Sequence, residues 1–177
     1  MSGEHGRRLV VGQAVGSGAP GGAPGGAGAC AGCARVARAR AGQHPFFVAE
    51  LRESLLFLHD DQRYTGHCVL FLKTHGEHLH GLAPETQAGL AADVADAARV
   101  QAALLKPKRI NYECLGNVLA HIHWHVIPRY EWDPEPQSVI WVRPAAERAS
   151  GADGTAVAAL AAKMRAALAD RVGHRGE

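Results

Sequence analysis

The sequence predicts an α+β fold: a five-stranded antiparallel sheet meander, one main helix packed on it, and a further helix near the C-terminus. Three observations predict it. Five short runs rich in β-branched and aromatic residues are separated by turn, loop or helical segments. One long stretch, opening at Pro84 and stopping before Pro107, repeats apolar residues at helical spacing. The last two runs are joined by a short connection, which suits antiparallel pairing.

Residues 1–29 are rich in Gly, Ala and Pro and have no face to bury, so a disordered leader is expected there. Cys30 to Arg40 suggests a short helix that carries Cys30-Ala-Gly-Cys33 at its start. Phe46 to Leu51 reads as the first strand and Ser54 to His59 as the second, with a turn at Arg52-Glu53. Asp60 to Gly66 is a polar loop. His67 to Leu72 is an apolar run that fits a strand buried on both faces, and it ends in Lys73-Thr74-His75. His78 and His80 lie on a polar connection and are expected to be solvated.

Ala83-Pro84-Glu85 opens the main helix, where proline suits the first turn and an acidic residue favours the positive end. Leu90, Val94, Ala97, Ala98, Gln101, Leu104 and Leu105 recur at helical spacing, with Asp93, Asp96 and Arg99 elsewhere on the wheel, so the helix is expected to pack on the sheet. Arg109 to Leu115 is the fourth strand, and Gly116-Asn117 turns the chain into the fifth. Val139 to Val142 reads as a last strand or a docking tail. Ala156 to Val172 is an alanine-rich helix with Leu160, Met164 and Leu168 on one side.

Composition narrows the function. The 177 residues carry a formal net charge of +2. They hold no basic stripe with interleaved aromatics, so nucleic acid is not an expected partner. No apolar run approaches the roughly 18 residues of a membrane span. Arg7-Arg8 is followed only by Leu9-Val10-Val11, too short for a signal-peptide core. A cytoplasmic chain is expected, and there a disulfide framework is not. Cys30 and Cys33 have the spacing of half a zinc site or a redox pair. Cys68 and Cys114 read as small core residues.

The most informative stretch is Asn117-Val118-Leu119-Ala120-His121-Ile122-His123-Trp124-His125-Val126-Ile127-Pro128. Alternation on a strand puts His121, His123 and His125 on one face and Ile122, Trp124 and Val126 on the other. Such a row serves a three-histidine metal site, a nucleophilic imidazole with its helpers, or a solvated polar face.

The triad with its following apolar residues, and then Pro128-Arg129-Tyr130, resembles the signature of the histidine-triad (HIT) superfamily in its zinc-bearing bacterial form. Gly66-His67, an apolar strand and the Lys-x-His ending at His75 extend the resemblance over residues 30–142, leaving 143–177 as a helical extension. The resemblance implies a structural zinc held by Cys30, Cys33, His75 and His121. It implies that His123 is the nucleophile, that His125 meets a phosphate oxygen or the departing group, and that Asn117 lies near the phosphate. Gly116 would let a ligand approach the backbone. The ribose contact falls to His59 or Asp60, and Val118 stands where relatives carry a serine. The implied activity is nucleotide hydrolysis or nucleotidyl transfer at an α-phosphate through a nucleotidyl-histidine. The alternatives are a nucleotide-binding or scaffold protein with little turnover, and a metallohydrolase using all three triad histidines. A homodimer with one continuous sheet is implied as well.

Overall fold

A computed structural model describes residues 30–144 and 153–173. The expected leader, 1–29, and part of the C-terminal extension lie outside the described residues.

Helix α1 (Ala31–Arg40) starts directly after Cys30 and ends in Arg38 and Arg40, whose charges suit the negative end of the helix. Strands β1 (Phe47–Glu50) and β2 (Ser54–Leu58) form a tight antiparallel hairpin, and β3 (Cys68–Leu72) pairs with β2 over its whole length. Helix α2 (Pro84–Leu105) follows, then β4 (Arg109–Glu113) and β5 (His123–Arg129). Helix α3 (Gly154–Gly173) closes the described chain. Residues 139–142, expected as a strand or a docking tail, form a single 3-10 turn over Ile140–Val142, docked through buried Ile140.

The five strands are all antiparallel, but the order is β1-β2-β3-β5-β4, not that of a simple meander. The reason lies in side-chain polarity. All but one of the residues of β5 are buried, whereas Arg109-Ile-Asn-Tyr-Glu113 of β4 is half exposed. The strand able to cover two faces takes the interior place. The triad strand also begins later than alternation alone suggests, at His123, with His121 just before it.

Every residue of β2 and β3 is buried, because both faces of the sheet are covered. Leu56, Leu58, Cys68 and Leu70 pack under α2 and α3, where Val94, Val157, Met164 and Leu168 meet them. Leu55, Phe57, Val69 and Phe71 pack on the opposite face against Val36 and Ala39 of α1. Trp124 turns to the α2 side, as alternation requires. Cys68 is a core residue, but Cys114 is exposed, because it follows the edge strand and faces no layer. Among the described residues no helix is long and apolar enough to cross a membrane.

Helical periodicity sets Asp93 off the inward stripe, yet it is 3% exposed. Its carboxylate accepts from the backbone N–H of Arg52 (3.1 Å), Glu53 (2.8 Å) and Ser54 (3.0 Å) and from Ser54 Oγ (2.8 Å). A helix side chain thereby satisfies the β1–β2 turn. Gln101 does similar work at the other end of α2, donating to the carbonyls of Gly66 and Val126. Replacing Asp93 with Ala strands buried donors at a cost of about 1–3 kcal/mol each. Asp93→Ala is therefore expected to lose at least about 2 kcal/mol in urea unfolding, and a midpoint equal to that of the unmutated protein would contradict this.

Candidate active site and metal cluster

The α1 face of the sheet carries the expected residues. On β5, His123 and His125 share that face with Val69 and Phe71 of β3. Together with Arg35 of α1 and with Leu115, Asn117, Val118 and Leu119 they border a pocket of about 470 Å³. The His123 ring stacks on Phe71 at 5.3 Å and 14°. Its Nδ1 lies 2.7 Å from the carbonyl oxygen of His121. A carbonyl only accepts, so Nδ1 carries the proton and Nε2 keeps its lone pair.

Two further histidines crowd His125. His67 Nε2 is 3.1 Å from His125 Nδ1, and His59 stacks on His67 at 4.2 Å and 9°. His59 Nδ1 accepts the Asp61 N–H at 3.0 Å. The buried Nδ1 of His67 has no partner. An unfilled acceptor is cheaper than an orphan N–H, so His67 donates from Nε2 to His125. The proton of His125 then sits on Nε2.

Burial keeps these rings neutral. It is the largest cause of the lowered pKa of His59, of the strong lowering at His67, and of the fall to about 3 at His125. At His125, repulsion from His59, His123 and Arg35 adds to it. Ring nitrogens of His59, His67 and His125 lie within 4.8 Å of one another. A lone pair lies in the plane of its ring, however, and the near-parallel rings of His59 and His67 do not aim at one ion. This arrangement is a neutral hydrogen-bonded stack.

Beyond His121 stands a second cluster. Cys30, Cys33, His75 and His121 bring one donor atom each to within 4.8 Å of the others. Cys30 Sγ is 3.5 Å from His121 Nδ1, and Cys33 Sγ is 3.6 Å from His75 Nδ1 and 3.7 Å from His121 Nδ1. The outer nitrogens are already engaged: His121 Nε2 with the Leu72 carbonyl at 2.9 Å, and His75 Nε2 with Glu77 at 3.4 Å. Both rings thus turn Nδ1 toward the thiols, the outer-shell arrangement that orients metal-binding imidazoles. Two soft sulfurs and two imidazoles suit a closed tetrahedral zinc site.

The other expected residues divide. His59 borders the pocket, whereas Asp60 is exposed and lies outside it. Asn117 borders both this pocket and a neighbouring one of about 370 Å³. Gly116 lines only the neighbour, and a Cβ there would meet nothing within 4 Å, so the fold does not require glycine at that position. Val118 is fully exposed at the pocket mouth. His78 and His80 are exposed, as expected.

Sequence reasoning missed two pocket residues, Arg35 and Trp141, and the buried His67 that backs His125. Arg35 follows the second cysteine on α1 and carried no motif. The side chain of His67 could have been placed by its alternation with Val69 and Phe71. Trp141 packs edge-on against His125 at 5.0 Å, and its indole N–H bonds to Glu113. Arg129 holds the loop that delivers it. Buried against Asp133, the guanidinium also donates to the carbonyls of Ser138 (2.8 Å) and Glu135 (2.7 Å).

Residues 41–132 match the HIT domain family. Among solved structures, a Zn-bound histidine triad family protein from Mycobacterium smegmatis is 28% identical, with 84% of this chain and 99% of that one covered and a TM-score of 0.60. A histidine triad protein from Sinorhizobium meliloti shares the fold at 23% identity (67% and 86% covered, TM-score 0.62). A hypothetical histidine triad nucleotide-binding protein from Sulfolobus tokodaii does so at 19% (78% and 93% covered, TM-score 0.61). A search of curated proteins found no match.

The electrostatics predict a pH dependence. The unfolded chain binds a proton at His125 near pH 6.5, whereas the folded chain does so only near 3. Between those values the unfolded state holds more protons, so stability is full above 6.5 and falls as pH drops toward 3. In denaturant titrations across that window, His125→Gln is expected to show a shallower slope than the unmutated protein. Identical slopes would mean that His125 is not held neutral by burial.

Proposed function

Because the chain belongs to the HIT domain family, we propose that it is a cytoplasmic nucleotide hydrolase or nucleotidyl transferase that cleaves at an α-phosphate through a nucleotidyl-histidine. One observation carries the reading: the His121 carbonyl holds the proton of His123 on Nδ1, leaving Nε2 as a free nucleophile at the pocket. Nε2 attacks phosphorus, a P–N bond forms, and the leaving group departs with its electron pair. Water then attacks the phosphorus: a P–O bond forms, the P–N bond breaks with its electron pair returning to Nε2, and the water's proton passes to solvent, releasing the nucleotide and restoring the neutral imidazole. In a transfer reaction another hydroxyl takes the place of water.

His125 is neutral, so its Nε2–H serves as a hydrogen-bond donor to a phosphate oxygen or the departing group. It does not act as a proton source. Developing charge on those oxygens is where a preorganised donor helps most. Asn117, between the two pockets, is the polar side chain placed to meet the phosphate.

Cys30, Cys33, His75 and His121 are proposed to hold a structural zinc ion, a reading supported by the engaged outer nitrogens of both histidines. Zinc there takes no part in the reaction and ties α1 to the sheet. A homodimer is proposed along β4, the uncovered sheet edge, where Tyr112 is 50% exposed. The exposed Val118, which offers no donor at the pocket mouth, favours a second reading as a nucleotide-binding protein with little turnover.

Two measurements test these readings. His123→Asn is expected to fold, bind nucleotide and lose at least about 1,000-fold in kcat, with little change in KM. Rapid quenching of the unmutated enzyme with labelled substrate should trap acid-labile label on His123. Near-normal turnover in the variant, or label elsewhere, would refute the nucleophile assignment, and binding without any turnover would leave the second reading. Metal analysis is expected to find about one zinc per chain. Cys33→Ser should lose it together with several kcal/mol of stability, because the binding energy of a structural site is folding energy. Zinc-free protein prepared without chelator would exclude the site.

A further inference from the structure

The reaction proposed above makes no use of Arg35. This residue borders the same pocket from α1, half-buried, with its guanidinium carbon 5.3 Å from the Phe71 ring centre and 5.8 Å from that of Phe57. Among the described residues no carboxylate pairs with it, and no Asp or Glu borders the pocket. Phe71 is also the ring on which His123 stacks. A cation without a counter-ion therefore sits one aromatic ring away from the nucleophile.

His59 adds a second donor. Its Nδ1 is taken by the Asp61 N–H, so its own proton is on Nε2. The wall built from Arg35 and His59 thus offers donors and no carboxylate acceptor. A ribose diol brings hydroxyl hydrogens that want such an acceptor, and a base, although it can stack on a guanidinium, brings no negative charge to balance it. A phosphate group answers both needs. It brings only acceptors once ionised, and it fits the forked geometry of a guanidinium.

We propose that Arg35 and His59 form a second anion subsite, so that the part of the substrate kept on His123 carries a further phosphate besides the one attacked. The preferred ligands are then bisphosphorylated, such as a nucleoside esterified at both its 5′ and 3′ positions. The proposal rests on the reading of this pocket as a phosphate-transfer site.

Calorimetric titration of the full chain, purified with its metal, with adenosine 5′-monophosphate and with adenosine 3′,5′-bisphosphate tests it. The bisphosphate is expected to bind about tenfold tighter or more, the effect of one charge-assisted contact. That ratio should shrink as salt is raised. In Arg35→Leu the ratio should fall below about twofold, with Arg35→Lys between the two. Because Arg35 neighbours Cys33, His59→Phe serves as an independent variant that keeps the aromatic stack on His67 but removes the Nε2–H, and it should cut the ratio about threefold. Equal affinities in the unmutated protein, or a ratio untouched by both variants, overturns the subsite and leaves the phosphate-transfer reading standing. Failure of both ligands to bind overturns the subsite and the phosphate-transfer reading together.

Discussion

His121 is the residue on which the site depends. Its ring turns Nδ1 to two thiols and Nε2 to the Leu72 carbonyl, and its own carbonyl takes the proton of His123. The cysteine cluster and His123 are thereby coupled through one backbone unit. Displacing the His121 ring moves the acceptor that decides which nitrogen of His123 is free. The approach of α1 obeys the same constraint. A Cβ on Gly32 would stand 2.5 Å from the His121 ring, so the position between the cysteines must be glycine for the helix to sit this close. The two clusters are one construction, with the sulfur and imidazole donors of Cys30, Cys33, His75 and His121 on one side of a peptide plane and the pocket of His123 on the other.

Much of this was legible in the sequence because it rests on local pattern. Alternation placed His123 and His125 on one face and Trp124 on the other. The resemblance gathered Cys30, Cys33, His75 and His121, and the structure brings them together. What was illegible rests on long-range partners. Nothing in the helical wheel of α2 announces that Asp93 will cap a turn 39 residues earlier. Strand order turned on how polar β4 is beside β5, a comparison between runs that alternation within each run does not make. Arg35 and Trp141 arrive from elements at opposite ends of the domain, each without a neighbouring motif. Asp60 and His59 are adjacent, and only the pleat decides that His59 faces the pocket.

The histidine-rich wall also shows how burial sets the character of a pocket. His59, His67 and His125 would give a strongly cationic surface in water. Packed on one another, they shed their protons and serve as fixed dipoles. The lasting positive charge at this wall is then a guanidinium, which burial cannot neutralise. The contrast with Arg129 is instructive. That guanidinium is fully spent, on a carboxylate and two carbonyls, in holding the loop that presents Trp141.

The far side of the sheet has a different consequence. Arg165 of α3 donates to the carbonyls of Val48 (2.8 Å) and Phe47 (3.1 Å) on β1, an edge strand. Open strand edges recruit other strands, and a cation along them is a common guard. Here the guard is translated more than 100 residues after the strand it protects. Domains begin to fold during synthesis, at about 5–20 residues per second. The newly made β1 therefore waits on the order of ten seconds for this guard to be synthesised.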